Sequence, residues 1–422
     1  MCRDADIIPY RDFQAYAKTR QPPKYGIISA MKVCFETFGC RLNRAEALDQ
    51  EAEYLADGWK LTSSHSDADV IIVRGCSVTQ RAQRDCEQLI AHIRKKYPNK
   101  RLLVEGCLAA AHTSRIVAPQ PHIVLKNAPD DVPVPTRTAR AYLKVQDGCS
   151  GKCTFCIVPK FRGKSSSVDF NAVLDKANRF IDAGYHEIVV TGCNLSLYVA
   201  GGKRLPELMD ALAALSPDCR IRLGSLEPSE VAMDVVAVMA GKLNVCRFMH
   251  IPVQSASNRI LVAMKRPYTA KEVEELVRAI HRQVPDAGIG CDLMAGFPSE
   301  GDLDFMATRG MLERNPFSRV HVFPYSERPG TAAASMHGAI PPEIRKARAK
   351  KLSLIADSKR TSFAKRFIGK TTEIVVEDED TCSGWTSEYL WCSCPHAHKP
   401  RKSLVTVRIT DAKGHTLTGM PI

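Results

Sequence analysis

From residue 141 to residue 325 the chain repeats one phrase six times: a short run of apolar and β-branched residues, then a stretch with helical periodicity. The runs read "YLKVQ", "EIVVTG", "RIRLGS", "CRFMHI", "GIGCDL" and "RVHVFPY". Helix-length returns do not close hairpins, so the strands must lie parallel, with helices covering the sheet. Six such units predict an open (β/α)6 barrel. A shorter passage of the same kind precedes it: "KVCFET", a helix over "NRAEALDQEAEYLADGW" in which Asn43 and Glu46 are spaced as a capping box, "VIIVRGC", a second helix, and "RLLVEGC". The expected fold class is α/β. An N-terminal parallel α/β domain spans 31–135, and "PTRTAR" reads as a linker. The barrel with a basic final helix spans 141–368. A small β domain over 369–422 is built from "TEIVVED", "SLVTVRIT" and "HTLTGM". Residues 1–30 lack this rhythm and read as an N-terminal extension.

Chemistry in parallel α/β folds gathers at the carboxyl ends of strands. The first three strands each end in a Gly-Cys pair: Gly39 and Cys40, Gly75 and Cys76, Gly106 and Cys107. A Cys after an apolar strand is commonly a small buried residue. Three such pairs on successive strands point instead to loops converging on one site, with each glycine letting the backbone turn and a bulky ligand approach. The first barrel strand leads through Gly148 into "QDGCSGKCTFCIVP", where Cys149, Cys153 and Cys156 form CxxxCxxC. Structural zinc closes its shell with four ligands, and no fourth Cys or His follows closely. Three thiolates on one loop hold three corners of a [4Fe-4S] cube and leave the fourth iron open to a substrate.

The chain has 16 Cys, and their meaning depends on compartment. Its opening is too charged for a secretory signal, and no apolar run is long enough to span a bilayer. A cytoplasmic protein with reduced thiols and no membrane partner is expected, so ordered Cys spacing indicates ligation or catalysis rather than disulfides. The formal charge of +13 and pI near 9.0 favour a polyanionic partner such as nucleic acid. Residues 341–367 carry nine Lys or Arg against Glu343 and Asp357 alone. A solvated helix face is the usual reading of such a run, and an RNA contact the alternative.

CxxxCxxC in a βα barrel resembles the radical S-adenosylmethionine enzymes, in which the open iron holds the cofactor and an electron splits it to a 5′-deoxyadenosyl radical. The resemblance narrows to the tRNA methylthiotransferases. "FGCRLNRAEA", "RGCSVTQRA", "EGCLAA", "DGCSGKCTFCIVPKFRG", "HIPVQSASNRIL", "DLMAGFPSE", "HVFPYSERPGTAA" and "GWTSEYL" follow that family's order from Met31 to the C-terminus. It implies a second [4Fe-4S] cluster on Cys40, Cys76 and Cys107, and a C-terminal TRAM domain that grips RNA. It also implies two S-adenosylmethionine molecules per turnover, an external electron donor and sulfur source, and tRNA rather than DNA as partner. Arg41 and "HVFPYSERPGTAA" look most like the branch that adds a methylthio group to C2 of N6-threonylcarbamoyladenosine at position 37. The isopentenyladenosine and ribosomal-aspartate branches are the alternatives. Arg41 would suit a threonyl carboxylate, or equally a tRNA phosphate. Departures from the family pattern are Arg74-Gly75 before Cys76, where Asn-Thr is usual, Cys193 at an aliphatic position, and "KSSS" after Gly163 in place of a second Arg. The C-terminal domain is also unusually acidic, with five Lys or Arg against seven Asp or Glu over 371–422.

For S-adenosylmethionine the strand-end polar residues are candidates: Thr191, Gly192, Ser225, Glu227, Gln254 and Asp292, with the acids suited to ribose hydroxyls. Internal barrel hydrogen bonds are the plainer reading of each. Phe323 and Tyr325 read as adenine stackers or as core. Cys392, Cys394, His396 and His398 have metal-like density but no CxxC pair, which argues against zinc. Cys2, Cys34, Cys86, Cys219, Cys246, Cys291 and Cys382 read as buried or incidental thiols. Two other functions stay open: a radical enzyme whose second cluster relays electrons, which requires a fourth ligand near Cys40, Cys76 and Cys107, and a colourless zinc-stabilised RNA-binding scaffold.

Overall fold

The computed structural model describes residues 30–111, 134 and 137–422. Residues 1–29 of the extension expected over 1–30, and residues 135–136 of the expected linker, lie outside the described residues. The chain divides into two compact units. One holds Met1–Pro135 and Ile157–Gly163; the other holds Thr136–Cys156 and Lys164–Ile422.

The first unit runs β1 (Lys32–Thr37), α1 (Arg41–Ala56), β2 (Val70–Gly75), α2 (Gln80–Lys96), β3 (Arg101–Gly106), α3 (Cys107–Ala111) and, after the chain returns, α4 (Val158–Arg162). Its strands are parallel, in the order Lys60–Leu61, β1, β2, β3. The central strand β2 is buried on both faces, as an unbroken apolar run demands. Ile71 and Val73 pack with Cys86, Ile90 and Ile93 on one side. Val70 and Ile72 pack with Phe35 and Tyr54 on the other.

The expected capping box does not form. Helix α1 begins at Arg41 with Cys40 as its N-cap, so Asn43 and Glu46 lie inside the helix. Asn43 Nδ2 donates instead to the carbonyls of Phe38 at 2.8 Å and Gly75 at 3.3 Å, satisfying strand-end acceptors that the helix start alone cannot reach.

In the second unit, β4 (Ala141–Lys144), β5 (Glu187–Thr191) and β6 (Arg220–Leu223) form one parallel sheet. Strands β7 (Phe248–Gln254), β8 (Gly288–Ala295) and β9 (Arg319–Pro324) form another. Parallel bridges Ile221↔Val245 and Ser225↔His250 join them into the six-stranded open barrel. All six strands fall where the sequence puts them. Helix α5 (Asn258–Ala263) follows β7, and α6 (Pro342–Lys365) closes the barrel.

Helix α6 is less free to meet RNA than its charge suggests. Arg345 donates to the Tyr325 carbonyl and Glu327, Arg348 to Glu300 and Asp302, and Lys359 to the Asn315 carbonyl. These cations clamp the helix to the barrel.

The C-terminal segment folds as β10 (Thr371–Asp378), β11 (Ser383–Thr386), β12 (Trp391–Ser393), β13 (Leu404–Lys413) and β14 (Thr416–Pro421), closed in the order β10-β11-β12-β14-β13. It seals the amino ends of the barrel strands. Glu187, fully buried, accepts from Arg222 Nε at 2.6 Å and Arg220 Nη2 at 2.5 Å. The same two arginines donate onward to the carbonyls of Trp385 and Thr386. Burial alone would push the Glu187 carboxyl up, but Arg222, Arg220 and Arg140 hold it well below the usual range. Trp385 stacks on Tyr389, with ring centroids 4.6 Å apart, and Arg319 lies over both rings. The "GWTSEYL" segment is therefore occupied by the barrel. Cys392 and Cys394 are buried in the core of this domain while His396 and His398 are exposed, so these four donors do not gather around one ion. No helix among the described residues is long and apolar enough to cross a membrane.

Candidate functional site: two cysteine trios at strand ends

In the first unit the strand-end glycines bring the cysteine loops together. Gly39 adopts φ +101°, and a Cβ placed on it would lie 2.6 Å from Cys76 Cβ and 3.1 Å from its Sγ. A Cβ on Gly106, at φ +76°, would lie 2.8 Å from the Gly75 carbonyl oxygen. Only glycine permits that backbone and that approach. Cys76 and Cys107 are buried, and Cys40 is exposed at the N-cap of α1. Burial pushes the Cys76 thiol up to about 11; the Val78 amide opposes the rise, and Cys107 and Cys40 add to it.

Sequence reasoning missed the residue that compensates this site. Arg162 of α4 is buried and donates from Nε to Cys107 Sγ at 3.4 Å. It is held by Glu46 at 2.8 Å and Asn43 Oδ1 at 2.7 Å. Burial raises the Cys107 thiol and Arg162 opposes the rise. Beneath it Arg74, the residue that departs from the family pattern, bridges Glu46, Gln50 and Glu105 at 3.1, 3.0 and 2.7 Å.

In the second unit the loop after β4 is fixed by Gln146, which is fully buried. Its Nε2 donates to the carbonyls of Asp147 and Gly148, and its Oε1 accepts from the Asn194 amide at 2.9 Å. That contact is why Gly192 must lack a Cβ, which would lie 2.8 Å from Gln146 Oε1. Thr154 anchors the far side of the loop on the Ala263 and Met264 carbonyls at the end of α5. Cys149 accepts from the Gly151 amide at 3.3 Å. Arg266 donates from Nη1 to Cys153 Sγ at 3.0 Å and from Nη2 to Glu227 at 2.7 Å. Burial raises the Cys153 thiol, and Arg266 opposes it.

Both trios suit iron–sulfur ligation. Among the described residues neither brings all three sulfurs within 4.8 Å of one another. A single zinc ion with Zn–S bonds of about 2.3 Å would need sulfurs roughly 3.8 Å apart, while a cube has a wider footprint. Each trio is rimmed by glycine and carries an arginine that offsets anionic sulfur. Iron would take the cysteines as thiolates and release the protons that burial favours on Cys76, Cys107 and Cys153.

The six residues expected to meet S-adenosylmethionine divide. Thr191, Gly192, Ser225 and Gln254 sit at carboxyl ends of barrel strands. Gln254 is buried in a left-handed conformation, φ +65°, and its Oε1 has no hydrogen-bond partner among the described residues. An orphaned acceptor on a strained strand end fits a cofactor donor. Glu227 is engaged by Arg266, and Asp292 by His250 and His321. Arg41 is the first residue of α1, half-buried beside Cys40. Phe323 and Tyr325 belong to the apolar cluster of Met294 and Phe297.

Comparison with known proteins shows the family. Residues 143–312 match the family described as the radical SAM superfamily, and residues 32–126 match "Uncharacterized protein family UPF0004". The chain is 30% identical over 384 residues to the threonylcarbamoyladenosine tRNA methylthiotransferase MtaB of Aquifex aeolicus, covering 83% of this chain and 94% of the relative. It is 30% identical over 389 residues to the tRNA-2-methylthio-N(6)-dimethylallyladenosine synthase of Porphyromonas gingivalis, covering 82% and 84%. Among solved structures, the radical S-adenosylmethionine methyltransferase TsrM of Kitasatospora setae superposes with a TM-score of 0.55 at 12% identity, covering 72% of this chain and 77% of that one. That likeness supports the fold alone.

Proposed function

The chain belongs to the radical S-adenosylmethionine tRNA methylthiotransferases, and from that premise we propose that it inserts a methylthio group at C2 of N6-threonylcarbamoyladenosine at position 37 of tRNA, in the cytoplasm. The observation that carries the reaction type is the pair of cysteine trios, each with an arginine on one sulfur. When bound, the two clusters and S-adenosylmethionine supply the one-electron chemistry that removes the C2 hydrogen, together with the sulfur and methyl that replace it.

The chain's own residues would do the rest. Cys149, Cys153 and Cys156 hold the barrel cluster, with Gln146 and Thr154 fixing their loop. Cys40, Cys76 and Cys107 hold the second, and Arg162 neutralises it. Gln254, Thr191 and Gly192 meet the cofactor at the strand ends. Arg41 would receive the threonyl carboxylate through its planar fork. The substrate branch rests on the name of the Aquifex aeolicus relative and on Arg41, and the electron donor and sulfur source are external.

The deciding measurement is mass spectrometry of tRNA nucleosides from cells with and without the gene. Loss of the 2-methylthio form of threonylcarbamoyladenosine supports the proposal; loss of the isopentenyl or dimethylallyl counterpart reassigns the substrate. One observation favours a relay role for the second cluster: Cys86 Sγ lies 3.8 Å from the Cys76 carbonyl oxygen. Its side chain is nevertheless packed among Ile71, Val73 and Ile90. Unchanged iron content in Cys86→Ala would dismiss the relay reading.

A further inference from the structure

Three neighbouring barrel strands carry a group of donors that neither cysteine trio uses. His250 on β7, Asp292 on β8 and His321 on β9 lie side by side. Asp292 pairs with His321 across the ladder, and His250 pairs with Gly290. Gly290 makes the room, since a Cβ there would lie 2.7 Å from His250 Nδ1. His250 Nε2 is 3.1 Å from Asp292 Oδ2, and His321 Nδ1 is 3.2 Å from Asp292 Oδ1. One ligand atom from each residue falls within 4.8 Å of the other two. Asp292 shares its face of β8 with Gly290, whose Cβ position meets Phe248 and His250; Phe248 packs on Tyr389, which plugs the amino end of the barrel, so this face is the barrel interior. Side-chain exposure rises from 9% at His250 through 24% at Asp292 to 54% at His321, so the group opens on one side.

Charge singles this group out. Glu46, Glu187, Glu227, Glu300 and Asp304 each take an arginine. The ion pairs of Asp292 are to two imidazoles.

The geometry points to a mononuclear site for a divalent transition-metal ion of the zinc class, held by His250 Nε2, Asp292 and His321 Nδ1. Two imidazole nitrogens and a carboxylate are a borderline donor set, suited to Zn2+, Fe2+, Co2+ or Ni2+ rather than to Mg2+ or Ca2+. The separations of 3.1 and 3.2 Å, each from one imidazole nitrogen to a different oxygen of Asp292, approximate the edges of a coordination polyhedron with bonds of about 2.1 Å. Binding exchanges the two contacts to Asp292 for coordination, and each imidazole keeps its hydrogen on the other nitrogen, His250 Nδ1 and His321 Nε2. Three protein ligands with an open side leave positions for a ligand from the barrel interior, unlike a closed structural zinc. The site goes beyond the proposed methylthiolation and is read without tRNA, so either can fail alone.

The test is anaerobic equilibrium dialysis of the holoenzyme, with its clusters in place, against 65Zn2+, beside Asp292→Asn and His321→Ala. Asp292→Asn keeps the side-chain volume and guards against a folding defect. The wild type should retain one Zn2+ per chain more than either variant, bound ~100-fold more tightly, with iron and sulfide unchanged. Its zinc K-edge spectrum should show a nitrogen and oxygen shell with imidazole scattering. Equal zinc retention by wild type and Asp292→Asn would overturn the site, as would a sulfur shell showing that cysteines had taken the metal.

Discussion

The two cysteine trios solve one chemical problem in opposite ways. Cys149, Cys153 and Cys156 share a single loop, half-buried and tied down by Gln146 and Thr154. Cys40, Cys76 and Cys107 come from three strands and meet only because Gly39 and Gly106 let their loops touch. Each nonetheless sets a guanidinium on one sulfur and anchors it on a carboxylate: Arg162 on Glu46, Arg266 on Glu227. A local loop can specify a ligand set by spacing. A dispersed set exists only once the sheet has formed, so it inherits the stability of the whole unit.

Losing a ligand from each trio should separate their roles most sharply. Cys153→Ala should lower reductive cleavage of S-adenosylmethionine at least ~1000-fold, about 4 kcal/mol of barrier, as read from 5′-deoxyadenosine formation. Cys76→Ala should keep measurable cleavage and yield no thiolated nucleoside. Intact thiolation in Cys76→Ala would mean that the dispersed trio is not the second cluster site.

The arginines give the next test. Arg162→Ala leaves Glu46 with Arg74 but strips Asn43 Oδ1 and Cys107 of a buried donor, a loss of about 3 kcal/mol in the first unit by denaturant unfolding. Removing an N–H donor and a positive charge from a ligand sulfur also lowers a cluster's potential. A differential of about 1 kcal/mol is roughly 40 mV for a one-electron couple. Redox titration should show that drop for the dispersed cluster in Arg162→Ala and for the loop cluster in Arg266→Ala, each partly restored by Lys. A shift in the wrong cluster would break the parallel between the two arginines.

Local pattern revealed the strands and the candidate cysteines, while everything that depends on distant side chains stayed hidden. CxxxCxxC and the repeated Gly-Cys endings are readable because period and spacing encode them, and all six barrel strands formed as expected. Arg266 could not be found, since nothing local links it to Cys153 across 113 positions. Asn43 and Glu46 satisfied the spacing of a capping box, but tertiary partners won: Phe38 and Gly75 carbonyls for one, Arg74 and Arg162 for the other. Asp292 looked like a ribose acceptor because its two histidines lie on other strands. Strands β11 and β12 were too short to carry an alternating pattern.

The smallest predicted effects examine how each trio is held rather than what it binds. Thr79 caps α2 by accepting from the Ala82 amide at 3.2 Å, three residues after Cys76. Ser257 caps α5 and also donates to Asp304, and the far end of α5 carries the Ala263 and Met264 carbonyls that anchor Thr154. Losing a side-chain cap costs about 1 kcal/mol, so Thr79→Ala and Ser257→Ala should each lower the unfolding midpoint modestly. Their consequences for iron should differ. The loop trio keeps its spacing whatever α5 does, so Ser257→Ala should retain full iron at that cluster. The dispersed trio depends on the start of α2 to aim Cys76, so Thr79→Ala should lose iron there first on anaerobic dilution. Equal iron retention in the two variants would mean that the glycine contacts alone, and not the helix start, hold Cys76 in place.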